Sequence, residues 1–416
     1  MIRERTHCRT CGANDLALIL DLGKTPLAND FLTPEEVPNY KTFLPLRLCV
    51  CRTCSLVQLA DTVSPEVLYS HYAYVTSTSK TMDAHLSAQR EHLLAVGGFN
   101  GKPRILEIAS NTGIYLKKFQ EVGCDVVGVE PAENIARLAN WEGVPTRIEF
   151  FNAQTAQKTR QEWGQADLIL GRHVFAHIDD LPDLMKGLEA ISHPRTLIAF
   201  EVPYLVDFFR GTEFDTVYHE HLSYISVRSI EALVAHTPFF LQRIDRYPIH
   251  GGCILFHLRP RASNLPVHDS VAKALEEENR LQLHDPASWQ PFIQRVRRIQ
   301  TELPALVRRL KAQGKRIIGY GASAKGNTLL NTCALTAKDL DYIIDNTPFK
   351  QHKVAPGSLI PIRPPELLVQ DKPDYAVILA WNFAPEIIRR EITYQQAGGR
   401  FILPLPEPRI VEFGGA

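Results

Sequence analysis

The sequence has no surplus of either charge: 46 basic side chains are matched by 46 acidic ones across 416 residues. A formal net charge of zero and a pI near 7.2 leave no long-range field for a polyanion, and no strongly segregated basic face is visible. Nucleic acid is therefore excluded as an expected partner. No apolar run reaches the roughly 18–20 residues that a transmembrane helix requires. The opening MIRERTHCRTCG lacks the hydrophobic core of a signal peptide. A soluble, cytoplasmic protein with no membrane partner is expected. Internal repeats of solenoid period and low-complexity tracts are also missing. Cysteine is scarce after residue 54, where only Cys124, Cys253 and Cys333 remain.

The other five, Cys8, Cys11, Cys49, Cys51 and Cys54, crowd into the first 54 residues. A large chain without a secretory leader keeps its thiols reduced, so the clustering points to metal rather than disulfides. Cys8-x2-Cys11 and Cys51-x2-Cys54 each put two thiolates on one tight turn, and two such turns close a tetrahedral four-sulfur zinc site with no open position for catalysis. The 39-residue gap between the pairs is longer than in a compact zinc finger, and Cys49 is a spare ligand. The first 60 residues hold too little apolar material for a core of their own, so a metal staple is expected.

The length asks for two or three domains, at roughly 100–200 residues each. From about 64 to 97 a loop runs into a helix that ends at Gly97-Gly98, with Met82, Leu86, Leu93 and Leu94 on one face. Alternation follows: RILEIA, a turn and a helix; DVVGVEP and a helix; ADLILGRHVFAHI; TLIAFEVP; then LQRIDRYP and GGCILFHLRP. Such βαβ units predict a doubly wound parallel sheet over about 70–260. RPRASNLPVHD reads as a linker, two polar helices follow, and RIIGYGASAKG opens a second, smaller α/β unit. The fold class is α/β, with boundaries near 1–70, 71–260 and 261–416.

Glu107, Ala109, Ser110, Asn111, Thr112 and Gly113 form the turn after the first strand, a ligand cradle that is not GxGxxG. One glycine leaves poor clearance for a pyrophosphate. Glu130, followed by Pro131, ends the next strand, where a carboxylate takes ribose hydroxyls. Two acids at adjacent strand ends suit a cationic nucleoside, S-adenosylmethionine, although helix capping produces the same pattern. His173 and His177 fall in the loop after the fourth strand, over the ligand crevice.

Tyr218, His219, Glu220, His221 and Tyr224 crowd imidazoles, phenols and a carboxylate into seven residues. On a strand, Tyr218 and Glu220 would share one side and the two histidines the other. The spacing is not HExxH, since Ser223 stands where the second histidine would be. Acid–base chemistry is the better reading, because histidine titrates near neutrality. A buried, self-satisfied polar cluster is the bland alternative.

Together, the two cysteine pairs, HYAYVTSTS, EIASNTG, GVEPAENIA, VFAHIDD, EFDTVYHEHLSY, GYGASAKGNTLLN and DNTPFKQHKVAPG resemble the nucleotide-linked deoxysugar C-methyltransferases in order along nearly the whole chain. These act on 4-keto-sugar nucleotides, typically at carbon 3, in deoxysugar biosynthesis. The resemblance implies a zinc-binding N-terminal domain, a central S-adenosylmethionine domain and a C-terminal Rossmann-like domain that holds the sugar nucleotide. It implies His221 as base, Tyr218 and Glu220 as its neighbours, His177 in the fourth-strand loop, and Tyr72 or Tyr74 at the substrate. The implied mechanism is deprotonation beside the ketone followed by methyl transfer. One departure is Thr112, where the family usually carries Asp.

A second turn, Gly319 to Gly326, again joins a strand to a helix and fits neither GxGxxG nor the P-loop. With Gly321, Ala322 and Lys325 at a helix N-terminus, and Asp345 and Asn346 at the next strand end, it is assigned to the sugar nucleotide. Its glycines also suit simple strand–helix packing. The competing readings are a nicotinamide-dependent sugar-nucleotide oxidoreductase using this turn, and a catalytically idle methyltransferase-fold binding protein motivated by Thr112.

Overall fold

Apolar runs interrupted by turn residues assemble into four sheets in the computed structural model, which describes residues 2–64, 67–68, 80–249 and 251–412. The N-terminal strands are β1 (Ile2–Glu4), β2 (Leu16–Thr25), β3 (Leu44–Cys51), β4 (Val57–Leu59) and β5 (Asp61–Val63). Strands β2 and β3 run antiparallel with Leu16 opposite Cys51, which brings the two cysteine pairs together across the long gap between them. The sheet gains a further strand from far downstream: Ser223 pairs with Gln58 and Tyr224 with Val57.

The central sheet takes β6 (Arg104–Ile108), β7 (Asp125–Val129), β8 (Thr146–Arg147), β9 (Ala166–Arg172) and β10 (Ser192–Pro203). The captured downstream pair is β11 (Ser223–Tyr224), followed by β12 (Phe239–Tyr247) and β13 (Cys253–Pro260). Its order is β12-β13-β10-β9-β6-β7-β8. Counted within this sheet the strands run 3-2-1-4-5-7-6, all parallel except β13, which is antiparallel to both of its neighbours. The expected strands over 239–260 exist, but as a hairpin whose return arm inserts between the fifth and sixth positions instead of extending the parallel series. The short connection between β12 and β13 accounts for their antiparallel pairing, since a parallel neighbour needs a long crossover.

The helix Lys80–Gly97 covers one flank, with Met82, Leu86 and Leu93 buried as the periodicity predicts and Leu94 partly buried against the same cluster. The helices Asp269–Leu281 and Gln290–Ala312 bridge the two α/β halves. Arg295 donates to the carbonyl of Phe209 on one side, and Arg308 pairs with Asp339 on the other. Phe292, Val296, Ile299, Leu303, Val307 and Leu310 form the buried seam of the longer helix.

The last sheet contains β14 (Ile317–Tyr320), β15 (Ile343–Ile344), β16 (Ile362–Arg363), β17 (Tyr375–Ile378), β18 (Arg400–Leu403) and β19 (Arg409–Ile410). Its order, β16-β15-β14-β17-β18-β19, is 3-2-1-4-5-6, the doubly wound dinucleotide order with its switch point beside β14. Among the described residues no helix is long and apolar enough to cross a membrane.

Candidate active site

The turn after β6 is wound tightly. Ala109, Asn111 and Gly113 have φ of 53°, 51° and 76°, and two of these three are not glycine. Local strain of this kind persists where the surroundings over-determine it. Gly113 is required, because a Cβ there would lie 2.9 Å from the Val144 side chain as well as at positive φ. Glu107 is buried at the strand end, and its Oε2 has no hydrogen-bond partner among the described residues. Burial pushes its carboxyl up to about 8, opposed by the nearby Arg172 guanidinium. Among the described residues the buried hydroxyls of Ser110 and Thr112 also lack partners. Glu130 accepts the N–H of Asn111 at 3.0 Å on one oxygen and that of Ala132, beyond Pro131, at 2.9 Å on the other. Each oxygen keeps a lone pair. Unsatisfied buried acceptors are costly, so this crevice fits a ligand that brings hydroxyl and ammonium donors.

The loop after β9 turns over the same crevice. His173 sits at φ 53° and donates its backbone N–H to the Glu201 carbonyl at 2.8 Å. Its Nε2 lies 3.1 Å from the Glu201 carboxylate. His177 ends a short 3-10 turn, Phe175–His177, and its ring meets that of His221 edge-on at 5.0 Å. Burial, assisted by His173, brings the His177 imidazole down to about 4.

Residues 218–221 form a turn, closed by the His221 N–H donating to the Tyr218 carbonyl at 2.9 Å. The strand expectation, which separated Tyr218 from His221, is therefore corrected: the turn brings their rings together, tilted, with centroids 4.0 Å apart. Tyr218 Oη and His221 Nε2 are 2.7 Å apart, and His221 Nδ1 is 2.9 Å from the Thr216 carbonyl. A carbonyl only accepts, so Nδ1 carries the proton and the Nε2 lone pair accepts from the phenol. Burial holds His221 well below the usual imidazole range, with His177 adding to the effect. His219 points away, its Nε2 3.2 Å from the Pro45 carbonyl. Glu220 accepts from Asn29 Nδ2 at 2.7 Å, and burial raises its carboxyl to about 7. Its carboxylate touches Asn29, not a histidine; its backbone carbonyl bonds His177.

The C-terminal sheet reaches the same place. Gly321 (φ 87°) and Ala322 lead to Ser323, whose hydroxyl caps the helix Ala324–Thr332 by accepting from Gly326 at 3.0 Å. Lys325 in its first turn lies over the Trp381 ring at 5.0 Å, and its charge acts on Glu213, Asp215 and His221. Trp381 Nε1 donates to Asp215 at 2.5 Å. Asp345 accepts from Ala322 N at 2.7 Å and Thr347 N at 2.8 Å, while Asn346 is exposed. Cβ atoms on Gly319 and Gly326 would lie 2.9 Å from the Ile343 and 2.7 Å from the Leu379 side chains, so these two glycines do serve strand–helix packing.

Tyr72 and Tyr74 lie outside the described residues. All other expected catalytic positions converge where the three parts of the chain meet. Asn29, Arg9, Arg172, Glu201, Asp215 and Trp381 were not singled out from sequence. Two of them carried a signal: an acid inside the apolar run TLIAFEVP marks Glu201, and a basic residue inside a cysteine knuckle marks Arg9. Asn29 carried none.

The sulfurs of Cys8 and Cys54 are 3.5 Å apart and those of Cys11 and Cys51 3.6 Å, with all four within 4.8 Å of one another. Tetrahedral zinc with bonds of about 2.3 Å needs sulfur edges of about 3.8 Å, so the four thiols fit it. Cys49 is not a ligand: its thiol faces the Gln58 carbonyl at 3.5 Å. Behind the knuckle, the fully buried Arg9 guanidinium binds Asp179 at 2.9 Å, Gln58 Oε1 at 3.0 Å and the Leu59 carbonyl at 2.8 Å. Asp179 belongs to the VFAHIDD loop, which joins the metal unit to the crevice.

Comparison with known proteins agrees with this organisation. Residues 8–69 match a family described as a zinc binding domain, 80–240 a methyltransferase domain, and 248–406 a C-methyltransferase C-terminal domain. The chain is 37% identical over 411 residues to the C-methyltransferase NovU of Streptomyces niveus, covering 99% of this chain and 98% of that one. A ubiquinone biosynthesis O-methyltransferase of Acinetobacter baylyi is 25% identical over 101 residues, 24% of this chain and 42% of that one. Among solved structures, a SAM-dependent methyltransferase from Anabaena variabilis has a TM-score of 0.37 at 14% identity, covering 47% of this chain and 91% of that one. With its zinc-type cysteine site and its acid-lined crevice, the chain belongs to the S-adenosylmethionine-dependent C-methyltransferases.

Proposed function

We propose that this enzyme C-methylates a nucleotide-linked 4-keto-deoxysugar, at carbon 3, with His221 as the base. The observation that carries the reading is the His221 tautomer: Nδ1–H is committed to the Thr216 carbonyl, which leaves the Nε2 lone pair for a proton. A ketone is needed, since it alone makes the neighbouring carbon–hydrogen bond acidic enough for an imidazole.

When bound, S-adenosylmethionine supplies an electrophilic methyl group; Glu107, Ala109, Asn111, Gly113, Glu130, Pro131 and His173 line the crevice that would hold it. His221 Nε2 removes the proton once the substrate displaces the Tyr218 hydroxyl, and that hydroxyl then donates to the oxygen that gains charge. Glu220 adds a second donor below about pH 7, because burial raises its carboxyl to about 7. His177, neutral above about pH 4, packs against His221 and completes the wall. Tyr72 is assigned to the sugar on the resemblance alone. Gly321, Ala322, Lys325, Asp345 and Asn346 are assigned to the nucleotide, with the Lys325 ammonium for phosphate. The division into 1–70, 71–260 and 261–416 accompanies this assignment, and a cytoplasmic location is proposed with it.

The test is mass spectrometry of products from a panel of 4-keto-sugar nucleotides with methyl-labelled cofactor, in deuterated solvent. The reading expects one labelled methyl and loss of the hydrogen at the methylated carbon. Methylation of a substrate without a ketone would overturn it.

A further inference from the structure

We propose that His92, Asp245 and His257 form a second divalent-metal site, of nitrogen and oxygen donors, on the flank of the central sheet away from the cysteine knuckles. His92 comes from the helix Lys80–Gly97, Asp245 from β12 and His257 from β13. His257 stands opposite Arg243 in the hairpin, two residues from Asp245 along β12, so the two side chains share a face.

Asp245 Oδ2 lies 2.8 Å from His92 Nε2 and 2.8 Å from His257 Nε2, and the three ligand atoms all fall within 4.8 Å of one another. The side chain of His257 is 1% exposed, yet neither of its ring nitrogens has a hydrogen-bond partner among the described residues. Its Nε2 is close to the carboxylate without pointing along a hydrogen-bond direction. His92 Nε2 is hydrogen-bonded to the same oxygen, and an ion bound there would take the place of the shared proton. Metal–ligand bonds of about 2.0–2.2 Å span donor edges of roughly 3.3 Å, so an outward shift of a few tenths of an ångström accommodates the ion.

The rest of the neighbourhood sets the orientation. Arg243 holds the other carboxylate oxygen, Oδ1, at 2.8 Å through Nε and 2.7 Å through Nη2, which turns Oδ2 toward the imidazoles. The same guanidinium opposes a cation and will weaken the site. His92 and Asp245 retain 28% and 15% exposure, leaving an entry path and a position for water. Two imidazoles and one carboxylate select a zinc-class first-row ion over magnesium or calcium. Bound there, the ion would fasten the helix Lys80–Gly97 to the edge hairpin.

The experiment uses the full chain without an affinity tag, equilibrated with Zn²⁺ and freed of loose metal, followed by elemental analysis and cobalt substitution. Two zinc ions per chain are expected for the native protein and one for His92→Gln, at a partly exposed position. Cobalt should show thiolate charge-transfer bands in both proteins, and the weaker nitrogen–oxygen bands only in the native one. Added zinc should raise the melting temperature of the native protein by several degrees more than that of His92→Gln. One zinc per chain in both proteins, or a second ion that persists in His92→Gln, overturns the proposal.

Discussion

The Tyr218 hydroxyl donates to His221 Nε2 across 2.7 Å, and the turn that pairs them continues directly into a strand of the zinc-bearing sheet. Leu222, between the two, donates to the Ala176 carbonyl at 2.7 Å and accepts from Leu59 N at 3.0 Å. The base is thus held by the metal unit on one side and the fourth-strand loop on the other.

Removing His221 should abolish turnover without emptying the cofactor crevice. His221→Ala is expected to lower kcat by about 10²–10⁴, the usual contribution of a positioned acid–base group, while calorimetric affinity for S-adenosylmethionine stays unchanged. Tyr218→Phe should lose less, because the imidazole lone pair remains. An alanine variant with native kcat would remove His221 from the mechanism.

The pH profile should reflect Glu220. With its folded carboxyl near 7, the donor form is present below neutrality and is lost as pH rises through that value. Since His177 is neutral above about 4, kcat/KM should be flat between those limits and fall on the alkaline side. Glu220→Gln, which donates at every pH, should flatten the alkaline limb; a limb that survives in this variant assigns it to another group.

Glu107 should link stability to pH. Its pKa is raised on folding from 4.5 to about 8, so the stability it contributes is complete below 4.5 and disappears as pH rises through 8. Glu107→Gln should therefore raise the melting temperature of the ligand-free protein at pH 8 more than at pH 5. It should also weaken S-adenosylmethionine binding, measured by calorimetry, because a partnerless carboxylate acceptor is lost.

Zinc removal should cost activity as well as stability. Chelation or Cys11→Ser frees the sheet that carries β11, so methyl transfer should decline in proportion to zinc content. Asp179→Ala leaves the Arg9 guanidinium buried without its carboxylate, a cost on the order of 3 kcal/mol in urea unfolding. Full activity in a metal-free protein would separate the staple from the site.

Lys325→Met should raise KM for the sugar nucleotide about 10–100-fold, the value of one charge-assisted hydrogen bond, with cofactor affinity unchanged. Equal loss for both ligands would mean that the lysine supports the domain interface instead.

Much of this organisation follows from chain-local physics. Strand–turn–helix units, the Gly113 and Gly321 turns, the acids at strand ends and the paired CxxC knuckles are properties of short segments, and spacing alone exposes them. Contacts between segments are a different matter. That Asn29 meets Glu220, that Arg9 reaches Asp179, and that Trp381 donates to Asp215 depends on how the sheets dock. The YHEH cluster marks the difference most clearly. Its residue types announce acid–base chemistry, but whether Tyr218 and His221 share a face is decided by the backbone. A strand would have separated them; the burial of β11 against β4 forces a turn just before it, and the turn joins them. The sequence by itself determined which groups are present and roughly where each element begins. Only the tertiary structure, by removing these groups from water and closing three units around them, decided which lone pair is free to take a proton.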